Sequence, residues 1–275
     1  MSKIEIPEFG SKKELFKFLI ENKSILIAQK KAAVKFADGF MYSNPVIQIK
    51  DQAHKAGAID VNEVNEIKVK AIVNTTNWMD SHMDVHLPGL WNKSLQENKF
   101  IMHVQEHKSY EFDKIIAEGE DLKAYTKSYT WKELGFNLEG KTEGLTFDST
   151  VKKERNPYMF NQYAKGYVKN HSVGMRYVKV VMGINDEDYP EHKEIWDKYY
   201  PEIINKDAAD TRGYFFAVKE AQVIEGSAVP MGSNIVTPTL SVGKDNGAGK
   251  TTPDNDEAAA KALQETQKQF FSNLI

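Results

Sequence analysis

The chain has 275 residues, 41% apolar and 27% charged, with 36 basic side chains against 39 acidic ones and a net charge of −3. That balance leaves no basic surplus for wrapping a phosphate backbone, so no specific nucleic-acid partner is expected. Cysteine is absent, which removes disulfides, thiolate nucleophiles and cysteine-ligated zinc.

The N-terminus, MSKIEIPEFGSKKELF, is charged where a signal peptide carries its apolar core, and no stretch approaches the roughly 20 apolar residues of a membrane span. A cytoplasmic protein is expected. Ser11 stands three residues before Glu14, a capping-box spacing, and Leu15, Phe16, Phe18, Leu19 and Ile20 follow, so a helix starts there. A second helical stretch runs from Ser24 to about Phe36, and residues 41–63 read as a connector. Residues 65–75 alternate Ile67, Val69, Ala71 and Val73 with polar partners, the pattern of a half-buried strand. A polar stretch, 74–84, leads to Leu87, Pro88 and Gly89, where regular structure breaks. A short helix is expected over 90–97.

Strands are expected at 100–104, 114–118, 122–130 and 144–151. Asn156-Pro157 starts a helix, with Pro in its first turn, that runs to about Asn170 with Met159, Phe160, Tyr163 and Tyr167 at helical spacing. Strands follow at 172–182 and 214–224. The charged and aromatic residues 183–213 between them read as an inserted surface element, helical over 191–200. After Pro238, GKDNGAGKTTPDND is a low-complexity linker, and 255–275 could form an amphipathic helix. The expected class is α+β: a helical N-terminal extension (1–63), a mixed β body (64–240) and a flexible tail (241–275).

Without cysteine, a nucleophilic hydrolase needs Ser or Thr activated by a neighbouring base, usually His. The seven histidines are 54, 82, 86, 103, 107, 171 and 192. There is no G-x-S-x-G elbow, H-E-x-x-H motif or P-loop. Asp80, His82, Asp84 and His86 would share one face of an extended strand and offer zinc ligands, or else form a solvated polar loop. Ser172 opens a strand and is followed two residues later by Gly174, where a substrate backbone can approach closely.

Several segments, in order, resemble the prohead (head maturation) proteases of tailed phages, which share a fold with herpesvirus assemblin. Asp80, Asp84, Val85, Leu87, Pro88 and Gly89 match a D-x-x-x-D-V-x-L-P-G segment, and Lys93-Ser94-Leu95 suits the short helix after it. Residues 100–107 are similar to an apolar strand ending in His. Residues 114–117 resemble the strand that follows, and Glu143-Gly144-Leu145-Thr146-Phe147 resembles D-G-L-x-V. Ser172-Val173-Gly174-Met175 resembles S-I-G-F, and residues 225–234 resemble E-x-S-x-V-x-x-P-A-N. The resemblance spans roughly residues 65–240 and implies a mostly antiparallel β-barrel ringed by helices.

It further implies Ser172 as nucleophile, His107 as general base and Glu225 as the carboxylate that orients it. His103 competes with His107, which is preferred because it follows the apolar strand. Glu220 is the alternative acid, since Met231-Gly232-Ser233 lengthens the spacing after Glu225. His171 is adjacent to Ser172 in a strand and faces the other way, as a wall or partner-facing residue. Backbone N–H groups near Val173 or Gly174, or the Arg176 side chain, are the candidate oxyanion donors. No cofactor is implied. The implied partners are major capsid protein and scaffold as substrates, with homodimerisation, inside an assembling prohead in the host cytoplasm. Self-cleavage would fall in the 243–256 linker. A catalytically inactive assembly scaffold on the same fold is the alternative, and a metal-dependent hydrolase on the 80–86 cluster ranks last.

Overall fold

The computed structural model describes residues 4–32, 59–98 and 100–244. Residues 241–244, expected as the start of the flexible tail, are instead the end of a strand; the rest of the expected linker and terminal helix, the end of the second expected helix and residues 41–58 of the expected connector lie outside the described residues. Helices α1 (Lys12–Glu21) and α2 (Lys23–Ala32) open the chain. Ser11 Oγ accepts from the Glu14 amide at 3.3 Å and so satisfies one N–H that a helix start leaves unpaired. Phe16, Leu19 and Leu26 pack into the same apolar cluster as Val73, Phe147, Val173 and Val223, so these helices help to form the core of the β body.

The strands form two sheets. The first is antiparallel in the order β5–β6–β1–β9, from β1 (Glu66–Thr75), β5 (Leu122–Thr130), β6 (Lys141–Lys152) and β9 (Thr239–Lys244). The second is built around a long antiparallel pair, β7 (Asn170–Ile184) and β8 (Tyr214–Val229). The other edge of β8 takes two short parallel strands in turn. β2 (Asp84–His86) lies against Phe216–Val218, and β3 (Met102–Gln105) against Glu225–Ala228. Between them α3 (Asn92–Glu97) covers the edge: Ser94 Oγ accepts from the Val223 amide at 2.9 Å, and Asn98 donates to the Val223 carbonyl at 2.7 Å. β4 (Ile115–Glu118) completes the sheet beside β3.

Residues 237–239 stitch the sheets together at one corner. Ile72 N–H donates to the Pro238 carbonyl, and His171 N–H to the Thr237 carbonyl. The ladder goes no further, so the closed barrel expected from sequence is not formed among the described residues. Pro230 and Pro238 lie in this connection, and neither has an N–H to extend a ladder.

α4 (Pro157–Ala164) is capped by Asn156, whose Oδ1 accepts from the Met159 amide at 2.9 Å. It stops short of the expected Asn170 because Gly166 turns the chain at φ +68°. The insertion folds as α5 (Pro190–Tyr199) and α6 (Lys206–Arg212), the second not expected. Trp196 and Ile203 from this region are buried on Phe215 and Ala217 of β8. No helix among the described residues is long and apolar enough to cross a membrane.

Candidate active site

β8 carries Glu225 and Ser227 on one face, two residues apart. Both are fully buried. Glu225 Oε1 lies 2.6 Å from His107 Nδ1, and Oε2 accepts from Ser227 Oγ at 2.7 Å. Ser227 Oγ in turn accepts from the His107 backbone amide at 2.9 Å. Ring and backbone of His107 are therefore held by the same two β8 residues.

The chain reaches this position through an unusual turn. β3 ends at Gln105, and Glu106 N–H still donates to the Ala228 carbonyl. Glu106 and His107 then both take the left-handed conformation, with φ of +50° and +60°. For residues with a Cβ this costs about 1 kcal/mol or more each. Lys108 N–H closes the turn on the Gln105 carbonyl at 3.0 Å. The strain is offset by the bonds to Glu225 and Ser227, and the result is an imidazole folded back over β8.

β7 brings Ser172 beside this pair of strands' buried polar face. Ser172 is opposite Ser227 in the antiparallel register, and Gly174 is opposite Glu225. Directly opposed residues send their side chains to the same face. Ser172 thus shares a face with Glu225, Ser227 and the His107 ring. Glycine at 174 is a geometric necessity, since a Cβ there would lie 2.1 Å from Glu225 Oε1. Ser172 is 6% exposed, and a Cβ on Gly232 would come within 3.6 Å of its own Cβ. The loop after β8 therefore packs beside the hydroxyl.

The competing residues are placed elsewhere. Glu220 pairs with Lys179 and, at 3.7 Å, with Lys93. It sits five residues from Glu225 along the strand, about 16 Å away. His103 is fully buried, with Nδ1 2.9 Å from Ser149 Oγ and Nε2 3.0 Å from Tyr163 Oη. His171 meets the same Tyr163 hydroxyl at 2.9 Å. It does face away from Ser172, but into the core, which corrects the expectation of a wall or partner-facing residue. Burial, followed by the charge of His171, holds His103 well below the usual histidine range, and burial lowers His171 to about 4. Burial also raises the Tyr163 hydroxyl well above its ordinary value. Arg176 is exposed.

The 80–86 stretch is not one extended face. Residues 80–83 form a turn, with Met83 at φ +59° and Asp80 Oδ1 accepting from the amides of His82 and Asp84. Asp84 accepts from Lys30 at 2.5 Å and from Tyr177 Oη at 2.8 Å. His86 is bonded to Asn74 and Tyr177. Among the described residues, no three His, Asp or Glu side chains gather to hold a metal ion.

One contributor, Ser227, escapes sequence reasoning. Ser227 could have been found from the Glu-x-Ser alternation of a strand, which puts it beside Glu225. No protein-family model, curated protein or solved structure matches the chain.

Proposed function

We propose that this chain is a serine endopeptidase of the prohead-protease kind, which processes capsid and scaffold proteins during phage head maturation. The observation that carries the reading is the 2.6 Å contact between His107 Nδ1 and the buried Glu225 carboxylate, on the face where the register puts Ser172. With Nδ1 committed to Glu225, Nε2 is the nitrogen that exchanges the proton. Ser172 Oγ attacks the scissile carbonyl and passes its proton to His107 Nε2. Glu225 stabilises the resulting imidazolium, which protonates the leaving amine. Water, deprotonated by the same nitrogen, then attacks the acyl-serine, and Ser172 recovers its proton as the acid product leaves. The family likeness extends the proposal to an assemblin-like arrangement of strands, to self-association as a dimer, to action inside the assembling shell in the host cytoplasm, and to self-cleavage within 243–256.

An inactive assembly scaffold is the second reading, and the burial of Ser172 beside Gly232 favours it. One experiment separates the two. Wild type, Ser172→Ala and His107→Ala are co-expressed with the capsid protein of the same genome, and intact masses are read. Cleavage in wild type that vanishes in both variants supports the protease. Cleavage that survives Ser172→Ala removes the proposed nucleophile, and intact capsid protein in assembled shells of every sample supports the scaffold.

A further inference from the structure

β5 is the terminal strand of the first sheet and is bonded on one side only, to β6. In an antiparallel pair, alternate N–H and C=O groups turn away from the neighbouring strand. Among the described residues, no backbone bond reaches residues 123–129 from that outer side. An open edge of this length is a template for another extended chain. Leu122 and Ala124 turn inward and pack against the core. Lys123, Tyr125, Lys127 and Tyr129 alternate with them along the other face, and both lysines are exposed.

The sheet provides neither lysine with an acid. Asp148 stands directly opposite Lys123, but it accepts from Lys70 at 3.3 Å and from the Tyr125 hydroxyl at 3.2 Å. Gly144 stands opposite Lys127 and has no side chain to offer. The two ammonium groups lie over tyrosine rings instead. Lys123 is 5.7 Å from the centre of Tyr125, and Lys127 is 5.1 Å from that of Tyr129. A ring face attracts an ammonium without neutralising its charge.

We infer that the outer edge of β5 is a docking site for an extended acidic segment of a partner protein, which adds as a further strand with carboxylates opposite Lys123 and Lys127. Main-chain bonds hold such a strand, and its alternate side chains set the choice of partner. Lys123 and Lys127 are four residues apart on one face, so the fitting segment carries two acids at that same spacing, with a residue between them that packs on Tyr125. Lysines on an open edge deter a neutral or basic strand. The same pair admits an acidic one, because opposite charges directly across a ladder stabilise it. A polynucleotide fits less well. It has no ladder to complete, and Tyr125 already holds two ammonium groups, Lys70 and Lys123, in competition with a stacking base.

The test reads binding to the full chain, as Ser172→Ala protein, so that the outcome is independent of any cleavage. By fluorescence anisotropy at low salt, a labelled peptide centred on Glu-Thr-Val-Thr-Glu should bind at least about tenfold more tightly than the same peptide with lysine for glutamate. Moving one glutamate by a single position turns it to the opposite face and should weaken binding about fivefold. N-methylation of alternate peptide amides should abolish binding in one of its two registers, the one whose N–H groups face β5. Lys123→Glu combined with Lys127→Glu should reverse the preference towards the lysine peptide, and an unchanged thermal melt shows that the fold is kept. No binding, equal affinity for the acidic and basic peptides, or a preference that survives the charge reversal overturns the inference. Undiminished binding of the shifted peptide, or of both N-methylated ones, does so too, since it leaves only diffuse attraction. A thymidine oligonucleotide that binds more tightly than the acidic peptide and displaces it would overturn the peptide assignment and give the face to single-stranded nucleic acid.

Discussion

The site residues are tied together so closely that small changes have distinct effects. Glu225→Gln keeps an acceptor for His107 Nδ1 but removes the charge that stabilises the imidazolium. We expect kcat to fall by about 10²–10⁴ with KM little changed, while Glu220→Gln, on the ion-paired surface, stays within about twofold. Comparable losses from both would return Glu220 to candidacy. Gly174→Ala tests the packing of the same group. Its Cβ would sit 2.1 Å from Glu225 Oε1, so we expect a loss of about 1–3 kcal/mol in urea unfolding together with activity. A stable, active Gly174→Ala protein would show that the carboxylate does not lie over residue 174.

At the level of elements, α2 is anchored by a charge. Lys30 reaches Asp84, whose side chain is fully buried, and also stands 4.1 Å from the Phe216 ring centre. Lys30→Met should cost about 3–5 kcal/mol because it strands a buried carboxylate. Adding Asp84→Asn should recover much of that, and thermal melts of the single and double variants check it. The same elements show what the sequence discloses. β5 is found at its full length and β1 to within one residue, because alternation over nine or ten positions is a strong local signal. β2, three residues long, and β9, whose Gly243 blends into the following linker composition, carry too little pattern to register. α6 buries only Ala209 and so has no apolar stripe to detect. The pairing of His107 with Glu225 was legible through the order of motifs. The internal placement of His171 was not, because Tyr163 from α4 and Thr237 from the β8–β9 connection create it, and neither contact is local.

Over the whole molecule, those buried histidines set the acid limit. His171 is lowered to about 4 against an ordinary value near 6.5, and His103 is shifted the same way. Between these values the unfolded chain takes up protons that the folded protein refuses. Stability is therefore full above about pH 6.5, falls as pH drops towards 4, and levels off for this group below that. His171 alone corresponds to about 3 kcal/mol over that window. Urea unfolding at pH 7.5 and 4.5 should show at least this decline, and His171→Gln should reduce it. A flat profile over that interval would mean that the pair is not held neutral in the folded state.

The turn that presents His107 has a consequence in time. Residues 107 and 172 leave the ribosome well before 225 and 227, yet the imidazole takes its working position only through bonds to those two later residues. On the proposed mechanism, a nascent chain that already contains Ser172 and His107 is therefore inert until the last part of β8 has been made and laid between β7 and β3. The proposal makes synthesis itself a delay on activity: chains truncated before Tyr214 should fail to react with a serine-directed acylating probe that is expected to label the full-length protein at Ser172.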